Sequence, residues 1–134
     1  MSDVAFAELA PRNGARRAAA GETFERRPWG CFYILDEGAT FKVKRIVVDP
    51  QGRLSLQSHR HRAEHWVVVA GEATVTVGDR VQILTRGQSI DISLGDIHRL
   101  ENFGREDVHL IEVQFGDYMG EDDIVRYDDV YQRT

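Results

Sequence analysis

The stretch Gly52-Arg-Leu-Ser-Leu-Gln57-Ser-His59-Arg-His61-Arg-Ala-Glu64-His65-Trp66-Val-Val-Val-Ala-Gly71 sets two histidines, a glutamate and a third histidine between two glycine turns. Side chains on an extended strand alternate faces, so His59 and His61 are expected to point the same way, close enough to grip one cation. After the short Arg62-Ala63 connection, a β-branched run resumes and offers a carboxylate and an imidazole at its first two positions, Glu64 and His65. These two lie on opposite faces, and only one of them can meet the ion. The same phase puts Ser55 and Gln57 inside with the histidines and leaves Leu54, Leu56 and Arg60 outside. An outward apolar pair has to be covered, so a homodimer packed across Leu54 and Leu56 is expected.

Working outward, a second stretch, Gly87-Gln-Ser-Ile-Asp-Ile-Ser93-Leu-Gly95-Asp-Ile-His98-Arg-Leu-Glu-Asn102, supplies a further histidine. Around both stretches short β-rich runs alternate with glycine punctuation. Strands are expected at 31–35, 41–48, 54–61, 65–69, 73–77, 80–84, 89–92, 98–102 and 108–115, and the Gly78-Asp79 pair suits a two-residue hairpin turn. Many short strands at this spacing argue for an all-β jelly-roll barrel, and no stretch reads as a long helix.

Together the two stretches resemble the paired motifs of the cupins, G-x5-HxH-x3,4-E-x6-G and G-x5-PxG-x2-H-x3-N. The second fits at every spacing, with Ser93 where the pattern has Pro. The first has one residue too many between Gly52 and His59 and one too few between His61 and Glu64. Counting back from Gly71 selects Glu64, whereas counting forward from His61 selects His65. Glu64 is favoured, because the distance to the turn glycine fixes the strand's phase while a connection can lose a residue. Within the cupins, LSLQ-x-HxHRAEHW, RPWG at residues 27–30 and GEDDIVRYDDVY at residues 120–131 are similar to the isomerase domain of type II mannose-6-phosphate isomerases.

The resemblance implies an all-β double-stranded β-helix binding one divalent ion through His59, His61, Glu64 and His98, with Zn first among Zn, Mn, Co, Ni and Fe. His65 is then an outward or supporting residue. Gln57, in phase with the ligands, is expected to touch the ion or the sugar. The implied reaction interconverts mannose 6-phosphate and fructose 6-phosphate. It calls for a base near the sugar carbon, stabilisation of the developing oxyanion and a phosphate clamp. Glu112, in phase with Leu110 and Gln114, is a candidate base, since burial would raise its pKa to a useful value. Lys42, Lys44 and Arg45 precede the first motif, and one parity of their strand must face inward. Lys44 is assigned to catalysis and Arg45 and Arg99 to the substrate. Arg62 and Arg126 read as surface arginines, Trp29 as a plug at the barrel end, and Cys31 as a buried small hydrophobe.

At 134 residues, with 42% apolar and 29% charged residues, the chain suits one globular domain. Residues 27–134 are assigned to the cupin domain, and 1–26, rich in Ala and Arg, to an N-terminal arm that is either a flexible tail or a strap across a partner subunit. A net charge of −5 argues against nucleic acid, while a small sugar phosphate needs only a local cationic cluster. No apolar run approaches the roughly 20 residues of a membrane span, and with no secretory-type start and a single cysteine, Cys31, the cytoplasm is the expected compartment. Two other readings remain open: another metal-cupin enzyme such as an iron dioxygenase, or a non-catalytic sugar-phosphate-binding cupin.

Overall fold

The computed structural model describes residues 23–131, which form strands and turns with no helix. The strands are β1 (Thr23–Arg27), β2 (Gly30–Glu37), β3 (Phe41–Val48), β4 (Leu56–Ser58), β5 (Arg62–Ala70), β6 (Ala73–Val77), β7 (Arg80–Leu84), β8 (Ser89–Ile92), β9 (His98–Glu101), β10 (Val108–Gly116) and β11 (Val125–Asp128). They make two antiparallel sheets, one ordered β1-β2-β3-β10-β5-β8 and the other β11-β4-β9-β6-β7. The architecture is the expected all-β double-stranded β-helix. Residues 1–22 lie outside the described residues, and with them most of the expected arm. The boundary drawn at 26/27 falls inside β1, which pairs with β2 from Thr23↔Ile34 to Arg27↔Gly30.

Strand register sorts the interior into two halves. Across β3, β10 and β5 the inward residues line up in rows. Ile46, Leu110 and Val68 form an apolar row, with Val48 beside Val108 next to it. One step further along come Lys44, Glu112 and Trp66, and beyond these Lys42, Gln114 and Glu64. The apolar rows join Trp29, Phe32, Val75, Ile92 and Leu100 in the main core, where each fully buried large side chain contributes about 1.5–3 kcal/mol. That burial offsets the cost of holding Lys42, Lys44, Glu64, Glu112 and Gln114 buried in the polar half.

Around the first motif the register departs from the expected phase. Arg53 bridges Glu101, yet Gln57 pairs with His98. Four steps along one strand thus match three along the other, so one residue is extruded between Arg53 and Gln57, as in a β-bulge. This absorbs the surplus residue of the first motif and reverses parity within it. Leu54, expected outside, packs against the core, which leaves Leu56 alone of the two leucines outside the core cluster. The regular strand is also short: β4 ends at Ser58, where 54–61 was expected.

Candidate active site

Beyond Ser58 the chain turns instead of continuing as a strand. The Asp123 carboxylate accepts the backbone N–H groups of Arg60 (2.9 Å) and His61 (3.0 Å), and β5 begins at once with Arg62. Alternation therefore stops between the two histidines of the first motif. His59 is buried, whereas His61 is about half exposed, 3.4 Å from Asp117 and edge-on to Tyr118. The expectation that His61 joins the ion site is corrected by this turn. On β5 alternation holds, with Arg62, Glu64 and Trp66 buried and His65 outside beside Asp91 (2.6 Å).

The buried groups that converge are His59, Glu64 and His98, whose potential ligand atoms all lie within 4.8 Å of one another. Backbone carbonyls fix both imidazoles. His59 Nδ1–H donates to Asp123 O (2.6 Å) and His98 Nδ1–H donates to Asp96 O (2.9 Å). Each ring thereby keeps its Nε2 lone pair, 3.3 Å (His59) and 4.0 Å (His98) from the nearer Glu64 oxygen. Burial, reinforced for His59 by the Arg62 guanidinium, lowers both imidazole pKa values, that of His59 to about 4. Both are neutral at neutral pH. Two neutral imidazoles and a carboxylate suit a divalent transition ion, whose bonds of about 2.0–2.2 Å would need only a modest closing of the cluster. Gln57, paired with His98, has its amide nitrogen held by Ser55 Oγ (3.0 Å), which leaves its carbonyl oxygen available to the pocket it lines.

Glu64 is held from both sides, by Trp66 Nε1–H (2.8 Å) and by Arg62 Nε (3.0 Å). Arg62 also reaches His59 Nε2 (3.3 Å) and the Gly120 carbonyl (3.4 Å). It is a buried site residue and not the surface arginine expected, and its two-residue phase with Glu64 and Trp66 was the signal for it. Glu112 lies in the next row, bonded by the Gln114 amide. Burial first, then the charge of Glu64, raise its pKa to about 7 against the opposing pull of Lys44 and Arg62. Lys44 sits over the Phe32 ring, 4.1 Å from its centroid, and 2.8 Å from Glu121.

One substrate assignment changes. Arg45 follows Lys44 and so faces the other side of the sheet, over Tyr33 and donating to His109 Nδ1 (3.0 Å). Arg99 reaches the pocket but is engaged by the Leu54 carbonyl (3.0 Å) and Asp128 (3.1 Å), which ties β9 to β11. Both terminal motifs meet the pocket, Arg27 and Trp29 from one and Glu121, Ile124 and Arg126 from the other. The tail crosses the polar end as a strap whose Met119, Gly120, Glu121 and Asp123 contact Lys42, Arg62, Lys44 and His59 in turn.

Comparison with known proteins places the chain in a family and a fold. The family described as Mannose-6-phosphate isomerase C-terminal matches residues 15–129. Over 108 residues, 81% of this chain, the sequence is 58% identical to the xanthan biosynthesis protein XanB of Xanthomonas campestris pv. campestris and 54% identical to the alginate biosynthesis protein AlgA of Pseudomonas aeruginosa. It is 52% identical over the same length to the mannose-1-phosphate guanylyltransferase ManC of Salmonella typhimurium. The matched regions are 23%, 22% and 22% of those proteins, so the chain spans less than a quarter of each. Among solved structures, the capsular polysaccharide assembling protein CapF of Staphylococcus aureus shares the fold with a TM-score of 0.68 at 18% identity, over 81% of this chain and 33% of that one. A Klebsiella pneumoniae protein with a double-stranded β-helix domain does so at 0.63 and 22% identity, over 82% and 88%. The chain belongs to the family of mannose-6-phosphate isomerase C-terminal domains.

Proposed function

We propose that this domain is by itself a metal-dependent aldose-ketose isomerase interconverting mannose 6-phosphate and fructose 6-phosphate. The observation that carries the reading is the convergence of His59, Glu64 and His98 one row from a buried Glu112 whose pKa lies at about 7. These three residues would hold one divalent ion, with the Gln57 carbonyl oxygen as a fourth donor in place of His61. When bound, the ion supplies Lewis-acid polarisation of the sugar's carbonyl and neighbouring hydroxyl oxygens.

The chain's own residues do the rest. Glu112, as a carboxylate, takes the proton from C2 of the open-chain aldose and returns it to C1. A second proton passes from the C2 hydroxyl to the C1 oxygen, so the product differs from the substrate only in where its hydrogens sit. In the metal-free site burial and the charge of Glu64 raise the pKa of Glu112 to about 7, and an ion held by Glu64 would ease it back toward the ionised form that accepts the proton. Lys44, directly across from Glu112 on β3, draws the Glu112 carboxyl toward its ionised form.

A coupled assay for fructose 6-phosphate on the purified chain, offered Zn, Mn, Co and Ni in turn, tests the reading. The wild type should form product, and Glu112→Gln should retain metal and sugar binding while losing at least about a hundredfold in kcat. Absence of product with every metal would replace the isomerase by a sugar-phosphate-binding domain.

A further inference from the structure

Lys42 and Lys44 are consecutive inward residues of β3, and both are almost fully buried, at 7% and 5% exposure. Two ammonium groups at that depth call for counter-charge. Among the described residues their ion-pair contacts go to one carboxylate, Glu121, whose Oε2 lies 2.8 Å from Lys44 Nζ and 3.2 Å from Lys42 Nζ, while Glu112 faces Lys44 from the next strand without such a contact. Lys42 also donates to the Met119 carbonyl (2.9 Å), and Lys44 otherwise faces the Phe32 ring. The pair therefore carries one positive charge more than Glu121 neutralises. Glu121 itself is not buried like its partners; its side chain is 42% exposed, on the strap that crosses the pocket. Burial works against its ionisation, but Lys44 first and Lys42 after it outweigh this and hold its pKa at about 2. A half-exposed carboxylate over two buried ammoniums is a displaceable counter-ion.

We infer that Lys42 and Lys44 form the subsite for the substrate's phosphate, and that Glu121 is the internal anion that fills this subsite until the phosphate takes its place. A phosphate dianion brings two negative charges where Glu121 brings one, and it has oxygens enough for both ammoniums. The position fits the substrate. In register, Lys42 stands two strands from Glu64, with Gln114 between them, a span of about 10 Å at the usual strand spacing. An open-chain hexose phosphate can lie along that row with its carbonyl end toward His59, Glu64 and His98 and its phosphate at β3. The freed Glu121 needs no new partner, because it already borders solvent. The carrier of the phosphate rests on the isomerase reading, whereas the anion subsite does not.

The test is calorimetric titration of the full chain with inorganic phosphate at fixed ionic strength, in chelator so that no bound metal contributes. Lys42→Met should weaken phosphate by roughly tenfold or more, the value of one charge-assisted hydrogen bond. Glu121→Gln, which keeps the shape and removes the competing charge, should tighten it severalfold. Unchanged affinity in both variants, or weaker binding in Glu121→Gln, overturns the inference. Should Lys42→Met not fold, Glu121→Gln decides alone, tighter binding supporting the subsite and anything else refuting it. Phosphate shifts without turnover of mannose 6-phosphate would sink the isomerase and spare the subsite; turnover with indifferent phosphate binding would do the reverse.

Discussion

Glu64 is a carboxylate 2% exposed beside two neutral imidazoles. Its tolerance of that position comes from the Arg62 guanidinium and the Trp66 indole. Removing the cation from such a pair costs about 3–5 kcal/mol, because the anion stays buried without compensation. Arg62→Met should therefore lower the melting temperature of the chelated protein sharply, and a divalent ion at Glu64 should restore more of it than the same ion adds to the wild type. Equal metal-induced shifts in the two proteins would show that the ion binds elsewhere. His61 provides a second contrast. His59→Ala and His98→Ala should lose bound metal, while His61→Ala keeps it, as read by metal analysis after dialysis; loss in all three would return His61 to the ligand set. Asn102, the last residue of the second motif, holds loops together and touches no part of the site. Its amide spans the Val48 and Glu106 carbonyls and its oxygen accepts the Gly104 N–H. Asn102→Ala leaves those carbonyls unsatisfied and should cost about 2–3 kcal/mol in denaturant unfolding with no change in the chemistry of the site.

At the scale of elements, the strap from β10 to β11 builds the site as much as the barrel strands do. The Asp123 carboxylate pins the turn at Arg60 and His61, and its carbonyl fixes the His59 tautomer. Asp123→Ala deletes no metal donor, yet it should weaken metal affinity by roughly tenfold, within the range for supporting groups that orient ligands, with partial rescue by Asn. Unaltered affinity would mean that the turn holds without the strap. The same elements show what the sequence could disclose. β-rich runs bounded by glycines located β3, β6, β7 and β8 to the residue, and phase brought Glu64 and Glu112 inside, because alternation holds through those positions of β5 and β10. It failed where alternation is interrupted, at the extruded residue before Gln57 and at the turn before His61, since neither a bulge nor an anchored turn has a period. Arg45 failed for a simpler reason: adjacent residues of a strand cannot share a face with each other, and Lys44 already held the inner one. β1 and β11 were missed because Thr-Phe-Glu-Arg-Arg and Val-Arg-Tyr-Asp are short and charge-rich, and sheet pairing, not local pattern, makes them strands. In the second motif, Ser93 stands where Pro was expected and uses the N–H that Pro lacks, donating it to Asp96 (2.9 Å). Gly71, which fixed the phase, has φ +83° and leaves no room for a Cβ, which would fall 2.5 Å from the Asp107 carbonyl oxygen.

For the whole molecule, the polar half of the barrel makes stability depend on pH. His59 and His109 titrate at about 4 in the folded chain, burial being the main cause and neighbouring Arg62 and Arg45 adding to it, against about 6.5 when free. The unfolded chain binds more protons between those values, so their contribution is complete above about pH 6.5 and is lost as the pH falls toward 4, by at most a few kcal/mol per residue. Glu112 works in the opposite sense, since its raised pKa favours the folded state at low pH and that contribution fades as the pH rises through about 7. His109 lies outside the pocket, where Arg45 donates to it, so it isolates the effect. Metal-free His109→Gln should lose less stability than the wild type between pH 6.5 and 4, and an identical pH profile in denaturant melts would contradict the assignment.

The central claim is that one barrel suffices for a metal-dependent isomerase, although the chain spans less than a quarter of its relatives. It is tested most directly by titrating chelated protein with a divalent ion while following mannose 6-phosphate conversion. There should be no conversion without metal, a rate that rises to a plateau at one ion per chain, and fructose 6-phosphate as the product. Metal bound at that stoichiometry with no fructose 6-phosphate formed, or conversion that is indifferent to the ion, would contradict it.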